Sequence, residues 1–140
     1  MDMQTAFQNL NWLAIIVAAI SAFALGGLWY SPVLFVKMWM KESGITEESA
    51  KEANMVKVFG FSFILAFIAS FFLALFLGAG AGAGGGFGAF AGFMAGFGWV
   101  FTFMGISYIF ERRSLAHLLI NAAYSVTSLT LMGFIIGVWQ

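Results

Sequence analysis

The side chains able to do chemistry in this 140-residue chain gather on one predicted helical face. His117, Asn121, Tyr124 and Ser128 recur at i, i+4, i+7 and i+11, with Ser125 beside them. These types donate and accept hydrogen bonds, exchange a proton at the imidazole, or line a wet path. Polar groups in a membrane helix avoid lipid, so the face points into the protein or into a water-filled cavity. Tyr30, Asn54, Tyr108, Glu111 and Arg112 are expected at the depth where that face begins, with Trp29, Lys57 and Arg113. A polar pocket open at that end follows. Two readings stay open for it. One is a set of interhelical hydrogen bonds fixing register, each worth about 0.6–2 kcal/mol. The other is a ligand or ion pathway.

Other chemistries find no support in the sequence. With one histidine and no cysteine, no metal-ligand spacing exists, and no cofactor is expected. The Gly-rich stretch from Gly78 to Gly86 lacks the Gly-Lys-Ser/Thr ending of a phosphate loop. No serine is paired with a base at a recognisable spacing. A lone His117 six residues after Glu111 meets no test for acid–base catalysis, so no enzyme is expected. Six Lys plus Arg balance six Asp plus Glu, which argues against a nucleic-acid partner.

The elements that hold these residues follow from composition. Apolar residues make up 62% of the chain and charged residues 9%. Soluble domains carry roughly 45–50% and 25%. A spanning helix needs about 20 apolar residues. Four stretches qualify: about Trp12 to Tyr30, Val58 to Leu77, Phe87 to Phe110 and Leu118 to Trp139, none with an Asp, Glu, Lys or Arg. A barrel would need alternating polarity, which these runs lack. The predicted fold is an all-α integral membrane protein: one transmembrane domain over residues 1–140, a bundle of four transmembrane helices with a short amphipathic interfacial helix in the first loop. The first span is not read as a cleaved signal, because Asp2 is the only charge before it.

All six basic residues fall in two loops, Lys37, Lys41, Lys51 and Lys57 in 31–57 and Arg112 and Arg113 in 111–117. The positive-inside rule puts both loops in the cytoplasm and both termini outside the cell membrane. In the first loop, Ser31 is expected to cap a helix with Pro32 at its first position. Leu34, Phe35, Met38 and Trp39 would share one face and Lys37 and Lys41 another, the lysines toward anionic lipid. Gly44 is a stop and Thr46 a second cap, and that second helix is expected to run unbroken into span two. The Gly/Ala stretch from Gly78 to Gly86 reads as a hairpin whose end winds into span three.

Helices associate in lipid by close packing, which small residues spaced by four permit. Span one carries Ala14, Ala18, Ala22 and Gly26; span two carries Ser62, Ala66, Ser70, Ala74 and Gly78. Span three carries Gly84, Gly88, Gly92 and Gly96; span four carries Gly133 and Gly137. These ladders serve either this chain's own helices or a second copy. The phenylalanines between them read as lipid-facing bulk, and Trp12, Trp29 and Trp139 as interfacial anchors.

Several runs resemble one family: Asn11-Trp12-Leu13-Ala14-Ile15, Gly27-Leu28-Trp29-Tyr30-Ser31-Pro32, Trp39-Met40-Lys41 and Gly44-Ile45-Thr46-Glu47-Glu48. Phe110-Glu111-Arg112-Arg113 and Leu119-Ile120-Asn121-Ala122-Ala123-Tyr124 continue the likeness. The chain is similar, over nearly its whole length, to the bacterial membrane family catalogued as domain of unknown function 1761. The resemblance implies a small four-span prokaryotic membrane protein and carries no activity. Gly27-Leu28-Trp29-Tyr30 and Gly105-Ile106-Ser107-Tyr108 also hint at two parallel halves. The resulting expectation is a multi-pass protein acting through helix packing or homo-oligomer contacts. The alternative is a small oligomeric channel or transporter with a polar pathway on span four. The bilayer, a second copy and anionic lipid at Lys37 and Lys41 are the partners in view.

Overall fold

The structure, a computed structural model, describes residues 2–78 and 83–139. Among these residues all regular structure is helical. A short helix α1 (Met3–Gln8) precedes span one, α2 (Trp12–Trp29). Helices α3 (Val36–Ser43) and α4 (Glu47–Lys51) fill the first loop, and α5 (Met55–Leu77) is span two. Span three is α6 (Gly84–Ala95), a π-helical stretch Gly96–Phe101 and α7 (Thr102–Phe110); span four is α8 (Leu115–Val138). Four of these segments are long and apolar enough to cross a membrane, so the chain is a multi-pass membrane protein.

Hydrogen-bonded caps explain where the spans start. Asn11 accepts from the Ala14 amide at 3.1 Å, Asn54 from Lys57 at 3.2 Å and Ser114 from His117 at 3.0 Å. Two helices therefore begin earlier than hydropathy predicts, at Met55 and Leu115. Hydropathy marks what prefers lipid, whereas the cap marks where helical bonding begins. The expected winding of the Gly/Ala stretch into span three is present from Gly84. Residues 79–82 of the expected hairpin lie outside the described residues.

The first loop departs from expectation twice. Ser31 caps no helix: its hydroxyl donates back to the Leu28 carbonyl at 2.6 Å, and Pro32 sits in a turn. That bond ties the loop to the end of span one and delays α3 to Val36, leaving Leu34 and Phe35 outside it. Met38 is exposed beside Lys37 and Lys41, while Trp39, Glu42 and Ser43 turn inward. Gly44 ends α3 at φ 73, as a left-handed stop requires. Thr46 caps α4 in a reciprocal pair with Ser49. Helix α4 does not run into span two, because it ends at Lys51 and Asn54 starts a new helix.

Span one lies antiparallel between spans two and four. Ile15, Ala18, Ala22, Leu73, Ala74, Leu77, Met132 and Ile136 form its buried contact. Within it the Ser70 hydroxyl donates to the Ile15 carbonyl at 2.8 Å. Ala66 packs against this cluster half-buried, and Ser62 faces outward, so the span-two ladder engages only in its later half. Spans three and four touch backbone to backbone. A Cβ on Gly88 would overlap the Gly133 carbonyl, one on Gly92 the Leu129 carbonyl, and one on Gly137 would press on the Gly84 carbonyl. Gly96 sits with its Cβ position 2.8 Å from the Val126 Cα. Apart from Ser62, which faces outward, and Gly78, where a Cβ would meet nothing within 4 Å, the small-residue ladders are engaged within one chain.

This contact loosens after the π-helical stretch. By Gly105 the nearest group on α8 is the Leu118 side chain, 3.8 Å from where a Cβ would be. Helix α7 therefore stands off from α8 by a layer of side chains, and the polar residues occupy that layer. The phenylalanines of spans two and three mostly point outward, with Phe93, Phe97 and Phe101 stacked at 5.8 and 5.4 Å.

Candidate functional site

Asn121 is the hub of the polar face. Its side-chain oxygen accepts from the Tyr30 hydroxyl at 2.6 Å, and its amide nitrogen donates to the Tyr108 hydroxyl at 2.7 Å. One residue of span four thereby joins the C-terminal ends of spans one and three. Tyr124, one turn deeper, donates to the Ala22 carbonyl at 2.9 Å. Gly26 makes room for its phenol, with the hydroxyl 3.0 Å from a Cβ built there. Trp29 is half-buried, and its indole N–H donates to the Ile120 carbonyl at 3.0 Å. Its ring packs on Phe35 and Tyr124 at 4.9 and 6.3 Å.

His117 differs from its neighbours. It is only 6% exposed, and its ring meets Tyr108 edge-on at 5.2 Å. Its imidazole makes no hydrogen bond among the described residues, although its backbone amide bonds Ser114. The ring lies on the wall of a cleft of about 400 Å³ shared with Trp39, Glu42, Ser43, Arg113 and Asn121. Helix α3 supplies one wall, and Glu42 pins it by accepting the Ser114 hydroxyl at 2.6 Å. Tyr30 joins the two sides through its edge-on contact with Trp39 at 5.4 Å. Arg113 stands over the Tyr108 ring at 4.9 Å and bonds Glu111 at 2.7 Å.

The remaining expected residues lie elsewhere. Asn54 is exposed and spends its side chain capping α5, so it does not join the cluster. Glu111 and Arg112 are exposed beside the cleft rather than on its wall. Arg112 adopts φ 56 where α7 stops, and the Arg112 and Arg113 amides donate to the Ile109 and Tyr108 carbonyls at 3.2 and 2.9 Å. This is the double-bonded helix stop whose left-handed position glycine usually fills. Ser128 is 5% exposed and its hydroxyl finds no partner.

Trp39, Glu42 and Ser43 were not foreseen as site residues. They fall at i, i+3 and i+4 of α3, one face of a helix, which is the signal the sequence offers. Its partner face is set by a contact to Ser114, 72 residues away, which no local pattern reveals.

The family model described as "Protein of unknown function (DUF1761)" matches residues 13–137. The chain belongs to that family. No curated protein and no solved structure matches it. The match spans every residue of the DUF1761 chain that lines the cleft and the whole polar face of span four.

Proposed function

We propose that this DUF1761 protein is a cell-membrane protein that binds a small polar ligand in the cleft at its cytoplasmic end, without catalysis. The observation that carries this reading is His117, a largely covered imidazole with no protein partner whose nitrogens open onto the wall of a polar cleft. An imidazole that no protein group bonds and that opens onto the cleft is free to bond a ligand there. The cleft volume of about 400 Å³ suits a small molecule. The orientation rests on the six basic residues, all in the two loops at the cleft end.

Self-association through the small-residue ladders loses support, because those residues pack against their own chain. A channel along span four meets an apolar barrier beyond Tyr124, where Met132 and Ile136 pack against Ile15, Leu73 and Leu77. One observation favours that second reading: Ser128 continues the polar face inward with an unbonded hydroxyl.

Native mass spectrometry of the full chain, released from its membrane in mild detergent, tests the binding reading. The expected result is a bound small molecule that His117→Ala loses, with the melting temperature of the variant recorded alongside. A chain that emerges bare under every mild condition overturns the reading. Solute flux in liposomes abolished by Ser128→Val would instead support the channel.

A further inference from the structure

Resting on that reading, we infer that the cleft takes the head group of a zwitterionic phospholipid, with its phosphate at Arg113 and His117 and its ammonium at Glu42 and Trp39. The first reason is charge. Glu42 and Arg113 line the same cleft, yet neither pairs with the other. Glu42 takes one hydroxyl hydrogen bond, from Ser114, and a carboxylate has room for about four. Arg113 spends its Nε on Glu111 and keeps its other N–H groups, out of five in a guanidinium. Opposite charges held apart within one cleft match a ligand carrying both signs. A ligand of one sign would satisfy one group and leave the other facing its own charge.

The second reason is the neutral groups between them. His117 lines the cleft with a ring N–H that no protein group takes and that can donate to a phosphate oxygen. Trp39 lines the cleft, and an indole ring attracts an ammonium. The third reason is depth. Trp29, Tyr30 and Trp39 gather at the end of span one, and such aromatic clusters sit at the head-group level of a bilayer. The fourth is the chain around Arg113. Ile109, Phe110 and Leu115 flank Arg113 in the chain and are 77%, 84% and 68% exposed. Their exposed side chains offer apolar surface to the tails of a lipid whose head enters the cleft. Taken with the depth of the aromatic cluster, this surface is the ground for taking the ligand to be a lipid rather than a free solute of the same charge. The exposed Lys37 and Lys41 lie on the outer face of α3, outside the cleft wall.

The test uses the purified, delipidated full chain and three probes, read by native mass spectrometry and by tryptophan fluorescence. The probes are dihexanoyl-phosphatidylethanolamine, dihexanoyl-phosphatidylglycerol and free phosphoethanolamine. The ethanolamine lipid is expected to bind at least about tenfold tighter than either of the others. Glu42→Gln keeps an acceptor for Ser114 and should bring the two lipids to within roughly twofold of each other. Arg113→Gln should weaken both lipids by about tenfold. Equal binding of the two lipids to the unaltered chain overturns the ammonium contact. Free phosphoethanolamine binding as tightly as its lipid overturns the lipid source. If no probe binds while another small molecule from the membrane is retained, the head-group inference falls and the cleft remains a binding site. If nothing at all is retained, both fall.

Discussion

Asn121 joins three helices with one amide, and its removal should show what that junction is worth. Asn121→Leu leaves the Tyr30 and Tyr108 hydroxyls without their partner. Interhelical hydrogen bonds in membranes are worth about 0.6–2 kcal/mol each, so a loss of about 1–4 kcal/mol is expected. Thermal melting in mild detergent reads it, and a melting temperature equal to that of the unaltered chain would show the junction to be idle. Tyr124→Phe, which breaks one bond to the Ala22 carbonyl, should cost about half as much. Arg112 makes the opposite prediction. At φ 56 it occupies a left-handed position costing an L side chain roughly 1–2 kcal/mol, of which glycine's greater freedom in the unfolded chain returns about half. Arg112→Gly should therefore raise stability by up to about 1 kcal/mol, measured in the same melt. Its exposed side chain forms no ion pair among the described residues that would offset this gain.

Between spans three and four the elements meet through glycines, and position decides the effect of a methyl group. Gly88→Ala drives a carbon into the Gly133 carbonyl, and a backbone cannot turn aside as a side chain can. A loss of at least about 3 kcal/mol is expected, the upper end of ordinary overpacking. Gly86→Ala, two residues away on the same helix, meets nothing within 4 Å. It should be neutral or stabilising by up to about 1 kcal/mol, the helix-propensity difference. Equal melting of the two variants would disprove the backbone contact. The spacing of Gly88, Gly92 and Gly96 made this face legible in the sequence, as the length of apolar runs made the spans legible. The first loop was less so. Ser31 reads as a cap, but its hydroxyl bonds the preceding helix, a choice between two local partners that sequence does not decide. The polar face of span four was legible from its period, since Tyr30, Tyr108, His117 and Asn121 do meet. Its opposite wall was not, because Glu42 and Trp39 reach it only through the folding back of α3. The matching Gly-x-x-Tyr endings of spans one and three have a structural counterpart: Tyr30 and Tyr108 bind the two ends of one Asn121 amide.

Across the whole molecule, basic charge is confined to one end. The cleft, the basic residues and the interfacial helix share it, while the other end closes with the Asn11 side chain donating to the Trp139 carbonyl at 2.8 Å. Between them the apolar contact of spans one, two and four leaves Ser70 satisfied by the Ile15 carbonyl and no charged group in depth. An ion crossing this contact in one chain would shed its water with nothing to replace it, at a cost far above thermal energy. The chain in liposomes should therefore hold an ion gradient as well as protein-free vesicles do. Which way the polar end faces is a separate matter, and the absence of cysteine makes it simple to measure. Single substitutions Lys51→Cys and Thr5→Cys both fall on exposed helix positions at opposite ends of the protein. Four lysines and two arginines on one side against none on the other lead, by the positive-inside rule, to the expectation that this side faces inward. A membrane-impermeant maleimide applied to intact cells should then label Thr5→Cys and leave Lys51→Cys unlabelled until the cells are opened. The reverse pattern would put the cleft outside, where a head-group ligand would come from the other leaflet.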